Sequence, residues 1–183
     1  MTGSPTRDRA RWPVFLALAG AVFVLDQATK AWVVTLVPNE GQRLSVIGDV
    51  VRLVNSHNSG ALFGMFQGQA VLFGLASLGV IALIVWYHGN AGRNTVLSVA
   101  LGLLLGGALG NVTDRLRLGY VLDFVDVGIG DLRWYTFNVA DTAVSCAILL
   151  LLLSALLPGR FGMASPDGGG ARPSPDPTGP VDA

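Results

Sequence analysis

The chain has one cysteine, two histidines, and only 12 basic and 12 acidic side chains in 183 residues. Each scarcity closes off a class of protein. Cys146 alone excludes an internal disulfide framework and any CxxC metal or redox motif. His57 and His88 leave little material for a histidine-based metal centre. Charged residues make up 13% of the chain, about half of the roughly 25% usual in soluble domains. Their balance supplies neither a basic face for nucleic acid nor an acidic block. What is abundant instead is apolar: hydrophobic residues reach 51% and mean hydropathy is +0.56. A chain of this length makes one domain or a small membrane bundle, and the composition disfavours a soluble enzyme.

The few charges are unevenly placed. Four fall in the first 11 residues and five lie at Arg160 or beyond. No Asp, Glu, Lys or Arg occurs in 53–92, 94–113 or 142–159. A helix needs about 20 mostly apolar residues to cross the hydrocarbon core, so these windows predict spans near 69–87, 95–113 and 139–157. A fourth runs from Pro13 to Val37, interrupted by Asp26 and Lys30. Backbone groups in lipid must be satisfied within the segment, which favours helices. The expected fold is an all-α membrane protein of four transmembrane helices. Arg7, Arg9 and Arg11 resemble a signal-peptide n-region, but the A-x-A at 17–19 falls inside the apolar run, so the first helix is expected to be retained. The same arginines favour both termini in the cytoplasm. Residues 1–12 form an N-terminal arm, 13–157 the four-span unit, and 158–183, rich in Gly, Pro, Ser and Asp, a disordered tail. Residues 42–54 alternate partly around Gly48-Asp49 and suggest a short hairpin at the membrane surface. Gly102, Gly106 and Gly110, at four-residue spacing, allow close approach of a neighbouring helix.

Ionisable groups inside spans are costly and usually functional. In this topology Asp26, Asn58, Asn111, Asp114, Arg115, Asn138 and Asp141 all converge on one leaflet. Two carboxyl groups with pKa values pushed apart can activate a water and protonate a leaving amine. A Ser/His/Asp set is excluded because His57 and His88 lie at opposite sides, and neither H-E-x-x-H nor a P-loop is present. Two aspartates are therefore the candidates for hydrolytic chemistry, from Asp26, Asp114, Asp123, Asp126, Asp131 and Asp141. Proton or ion transport uses the same residue types. Two patterns mislead. Asp141-Thr142-Ala143 resembles the D-T-G/A of soluble aspartic proteases, and Gly128-Ile129-Gly130-Asp131 has a G-x-G-D form, but neither stands in the right context.

Four blocks then carry a family resemblance: Asp26-Gln27-Ala28-Thr29-Lys30; Asn58-Ser59-Gly60-Ala61-Leu62-Phe63; Gly110-Asn111-Val112-Thr113-Asp114-Arg115 with Val121-Leu122-Asp123-Phe124; and Phe137-Asn138-Val139-Ala140-Asp141. In order, on four spans, they resemble the bacterial lipoprotein signal peptidases, or signal peptidase II, over residues 13–157. The resemblance implies an aspartic endopeptidase of the inner membrane with its site toward the outer leaflet. It would cut the signal peptide from a diacylglyceryl-modified prolipoprotein just before the lipid-modified cysteine. It implies Asp123 and Asp141 as the catalytic pair, with Asp126 not required. Asp26, Asn58, Gly60, Ala61, Asn111, Asp114, Arg115 and Asn138 would bind substrate or support the site. It also implies an extramembrane β-cradle, a short lid-like helix, contact with membrane lipid, and inhibition by globomycin. It implies no cofactor and no metal. Leu62, where Ala is common, and Tyr135, where Pro is frequent, depart from the pattern without touching an aspartate.

Bland roles compete for several residues. Asp114 next to Arg115 reads as an ion pair ending a helix, and Asp26 and Lys30 at i, i+4 as a pair on one face. Asn58 and Asn138 have the chemistry of helix caps. Cys146 reads as a packing residue, and Trp12, Trp32, Trp86 and Trp134 as an interfacial belt.

Overall fold

The computed structural model describes residues 11–60, 70–90 and 94–157. The chain runs α1 (Trp12–Leu36), β1 (Arg43–Ile47), β2 (Val51–Asn58), α2 (Ala70–Asn90), α3 (Thr95–Leu118), β3 (Val121–Ile129), β4 (Leu132–Arg133) and α4 (Val139–Leu156). By length and composition α1, α3 and α4 can each cross a membrane, and α2 is a further apolar helix. Their outward faces are apolar: Val24 on α1 is 63% exposed and Leu156 on α4 67%. In water such faces would be a liability; in lipid they are the solvated surface.

α3 is the central helix, packed against α1, α2 and α4. The reason is its glycines. A Cβ at Gly102 or Gly106 would lie within 2.8 Å of the carbonyls of Phe15 or Ala19 on α1, and one at Gly107 2.6 Å from that of Ala140 on α4. Removing those methyl groups lets backbones touch, as membrane helices require. Asn94 caps the start of α3 by accepting from the Leu97 amide at 2.9 Å. Gly119, at φ +80°, turns the chain out of its end. α3 therefore continues to Leu118, beyond the expected limit near 113, and carries Asn111, Asp114 and Arg115 on its last turns.

The strands form one antiparallel sheet in the order β1-β2-β3-β4, joined to the C-terminal ends of α1 and α3 and the N-terminal end of α4. The β1–β2 hairpin turns at Gly48 as its sequence predicts, but β2 runs on to Asn58 and pairs with β3, which hydropathy does not reveal. No helix other than these four occurs among the described residues. Among the described residues no short lid-like helix occurs, and between α3 and α4 the stretch 121–138 is strand, turn and extended segment. The Trp134 amide bonds to Val127 O and the Phe137 amide to Val125 O, which hold that segment along β3. Phe124 anchors the sheet to α1 by packing with Val33 and Val37. The N-terminal arm to residue 10, the tail from 158, and Leu62 and Phe63 lie outside the described residues.

Candidate active site

The polar exceptions of four distant segments meet at the sheet end of the helices. Asn138 is the joint. As the cap of α4 its Oδ1 accepts from the Asp141 amide at 2.9 Å, and its own amide donates to Asp141 Oδ2 at 3.2 Å. This capping box leaves Nδ2 free to donate to Asp123 Oδ1 at 2.7 Å. One fully buried asparagine thus caps a helix and holds both carboxylates. Asn138 both caps α4 and contacts the two aspartates. Among the described residues Asn58 caps no helix: it ends β2, and its Nδ2 donates to Asp123 Oδ2 at 3.1 Å while its Oδ1 accepts from the Gly60 amide.

Asn111 supplies the remaining donor, from Nδ2 to Asp141 Oδ1 at 2.8 Å. Its Oδ1 accepts from Asn138 and from Lys30 Nζ, each at 3.2 Å. All four oxygens of Asp123 and Asp141 therefore have a nitrogen donor. Lys30, the only lysine in the chain, lies behind this layer. Its Nζ stands 2.8 Å from Asp26 Oδ2 and 2.7 Å from Asp114 Oδ2, with all three side chains buried. Asp26 Oδ1 accepts from the Ala140 amide at 3.0 Å, and Asp114 Oδ2 from the Leu122 amide at 3.2 Å. The triad thus ties α1 to the start of α4 and to the start of β3. Gln27, to which sequence reasoning assigned no role, bridges both carboxylates. Only the tertiary contact identifies it.

The expected Asp114–Arg115 pair is not formed. Successive helical residues diverge by about 100°, so Asp114 turns inward to Lys30 while Arg115 turns to the cavity. Arg115 Nη2 donates to Gly60 O at 3.1 Å, and its Nε is buried without a partner among the described residues. The cavity encloses about 510 Å³ and is lined by Asn58, Asn111, Arg115, Asp123 and Asp141, by the 134–137 segment, and by Thr142 and Ser145 one side of α4. Asp126 is not in it. Strand residues alternate faces, and three positions after Asp123 the side chain points the other way, to Arg133 Nε at 2.9 Å. Asp131 sits exposed in the β3–β4 turn beside Gly130. Ala61 lies outside the described residues. Trp134, expected only at an interface, also lines the cavity.

Burial, and next the charge of Asp141, push the Asp123 carboxyl up to about 7. Hydrogen bonds from Asn58 and Asn138, and the more distant Lys30, oppose this without cancelling it. A carboxyl that holds a proton near neutrality beside a second carboxyl can give a proton while its neighbour takes one.

The family described as Signal peptidase (SPase) II matches residues 18–157. A protein named lipoprotein signal peptidase from Syntrophomonas wolfei is 38% identical over 150 residues, covering 81% of this chain and 94% of that protein. One of the same name from Caulobacter vibrioides is 39% identical over 155 residues, covering 81% and 89%. A solved bacterial membrane enzyme, determined by the in meso method at 2.3 Å, superposes with a TM-score of 0.74 at 28% identity, covering 87% of this chain and 96% of that one.

Proposed function

The chain belongs to the signal peptidase II family, membrane proteases that remove signal peptides from prolipoproteins, and on that premise we propose that Asp123 and Asp141 are its catalytic pair. The observation that carries the assignment is Asn138, which donates to both carboxylates, from Nδ2 to Asp123 and from its backbone amide to Asp141, where the two aspartates line one cavity. Asp123 is the member that holds the proton. Asp141 takes a proton from a water molecule, whose oxygen attacks the scissile carbonyl. Asp123 gives its proton to the carbonyl oxygen as the tetrahedral centre forms. Collapse of that centre expels the amine, which leaves with the proton Asp141 gained, while one hydroxyl of the centre returns a proton to Asp123 as the carbonyl re-forms, and no acyl-enzyme forms. Asn58, Asn111 and Asn138 hold the pair; Arg115 and Gly60 face the substrate; Asp26 and Asp114 act through Lys30 on the elements that carry the pair.

The substrate in this reading is a diacylglyceryl-modified prolipoprotein, cut just before the modified cysteine, with its acyl chains along the outward apolar helices. The signal helix unwinds near the cut so that an extended peptide reaches the cavity. Residues 13–157 form the peptidase unit with four spans, counting α2. The cluster Arg7, Arg9 and Arg11 supports cytoplasmic termini, which sets the cavity at the outer leaflet and the sheet outside the hydrocarbon. A globomycin-type cyclic peptide would compete for the same cavity. Asp123→Asn and Asp141→Asn should each yield folded protein with no cleavage of lipid-modified prolipoprotein in a reconstituted assay. Asp126→Asn should keep its turnover. Normal turnover by either dyad variant would overturn the assignment.

A further inference from the structure

A second groove, of about 410 Å³, adjoins the site and is lined by strand and loop residues alone. Trp134, Tyr135 and Thr136 line both cavities, so the two lie on either side of this one segment. Thr136 Oγ1 meets β2 at Ser56 Oγ across a long 3.4 Å hydrogen bond. A peptidase cutting a chain that enters as a membrane helix needs a path for the part that continues away from the helices. The groove begins where that path must begin.

Its chemistry suits a peptide. Asn55, which lines it, keeps Oδ1 buried with no donor among the described residues, although its Nδ2 serves Val37 O and Pro38 O. Arg133 is taken by Asp126 and Asp49, and Glu40 faces His57 at 3.3 Å. Arg43, exposed on β1, is the cation of the groove with no carboxylate partner among the described residues.

We propose that this groove receives the first residues of the mature polypeptide beyond the scissile bond, in extended form, and that Arg43 favours acidic side chains among them. The inference rests on the dyad cutting a chain that continues past the site. An extended peptide advances along it by about 3.3 Å per residue. Arg43 acts on binding, not on the chemical step, so its effect falls on KM and leaves kcat unchanged.

The test uses full-length enzyme in lipid nanodiscs and three synthetic diacylglyceryl-modified prolipoprotein peptides. Two carry Asp or Lys at the second to fourth positions of the mature segment, and the third ends at the cysteine. Wild-type enzyme should favour the Asp peptide over the Lys peptide by about threefold to fivefold in kcat/KM, the scale of an exposed ion pair. Arg43→Glu should reverse that order while cleaving the truncated peptide as the wild type does. Loss of both preferences at high salt would support the same reading. The same ranking by both enzymes would overturn the groove assignment. Failure of wild-type enzyme to cut all three would instead overturn the substrate reading beneath it.

Discussion

Asp123 keeps its proton to about pH 7 because it is buried beside Asp141, and two measurable effects follow. If Asp123 is the acid, kcat falls as pH rises through that value. The Asn58 hydrogen bond holds the carboxyl lower than burial alone would. Asn58→Ala should therefore move the alkaline limb of the kcat profile to higher pH, and an unmoved or lowered limb would contradict the role given to Asp123. The second effect is on stability. Unfolded, an aspartate loses its proton near 4, whereas folded Asp123 keeps it to about 7. Between those values the unfolded chain binds fewer protons, so this group's contribution to stability declines as pH rises. Asp123→Asn removes the decline, so its stability relative to wild type should rise with pH between about 4 and 7. Unfolding in detergent across pH 5 to 8 checks the sign.

At the scale of elements, the start of α4 does two jobs through one residue. Asn138 caps the helix and orients both carboxylates, and these functions separate by substitution. Serine is as good a cap as asparagine but cannot reach Asp123 while capping. Asn138→Ser should keep its unfolding temperature within a few degrees and lose cleavage by on the order of tenfold or more. Asn138→Ala should lose both activity and about 1 kcal/mol of stability. The cap was legible in the sequence, since Asn followed at N3 by Asp before an apolar run is a helix start. The second contact was not, because the register that sets Asp123 opposite Ser56 is a property of β2 and β3 together. The strand alternation that turns Asp126 away is equally invisible until the strand is known.

For the whole molecule, the buried triad of Asp26, Lys30 and Asp114 is the tie between helices and sheet. Removing only the lysine strands two buried carboxylates, which costs about 3–5 kcal/mol. Lys30→Met should lower the unfolding temperature sharply, while adding Asp26→Asn and Asp114→Asn should recover much of the loss. A single variant as stable as wild type would show that the triad does not hold the fold.

The membrane character, the approximate helices, the α4 cap and the four polar blocks were determined by the sequence itself. Hydropathy over about 20 residues, capping chemistry and residue order are local properties, and the uncharged windows and charged exceptions are already written in them. The tertiary structure decided the partners. Lys30, read as the partner of Asp26 alone, joins Asp26 to Asp114 because α1 and α3 approach over bare glycine. Asp114 leaves Arg115 for the same reason. Asp123 meets Asn138 because β3 crosses the start of α4, with its Val125 amide bonded to Phe137 O. Contacts between segments about 15 to over 100 residues apart depend on close approach, strand register and side-chain direction together, and none of these is carried by a single stretch of chain.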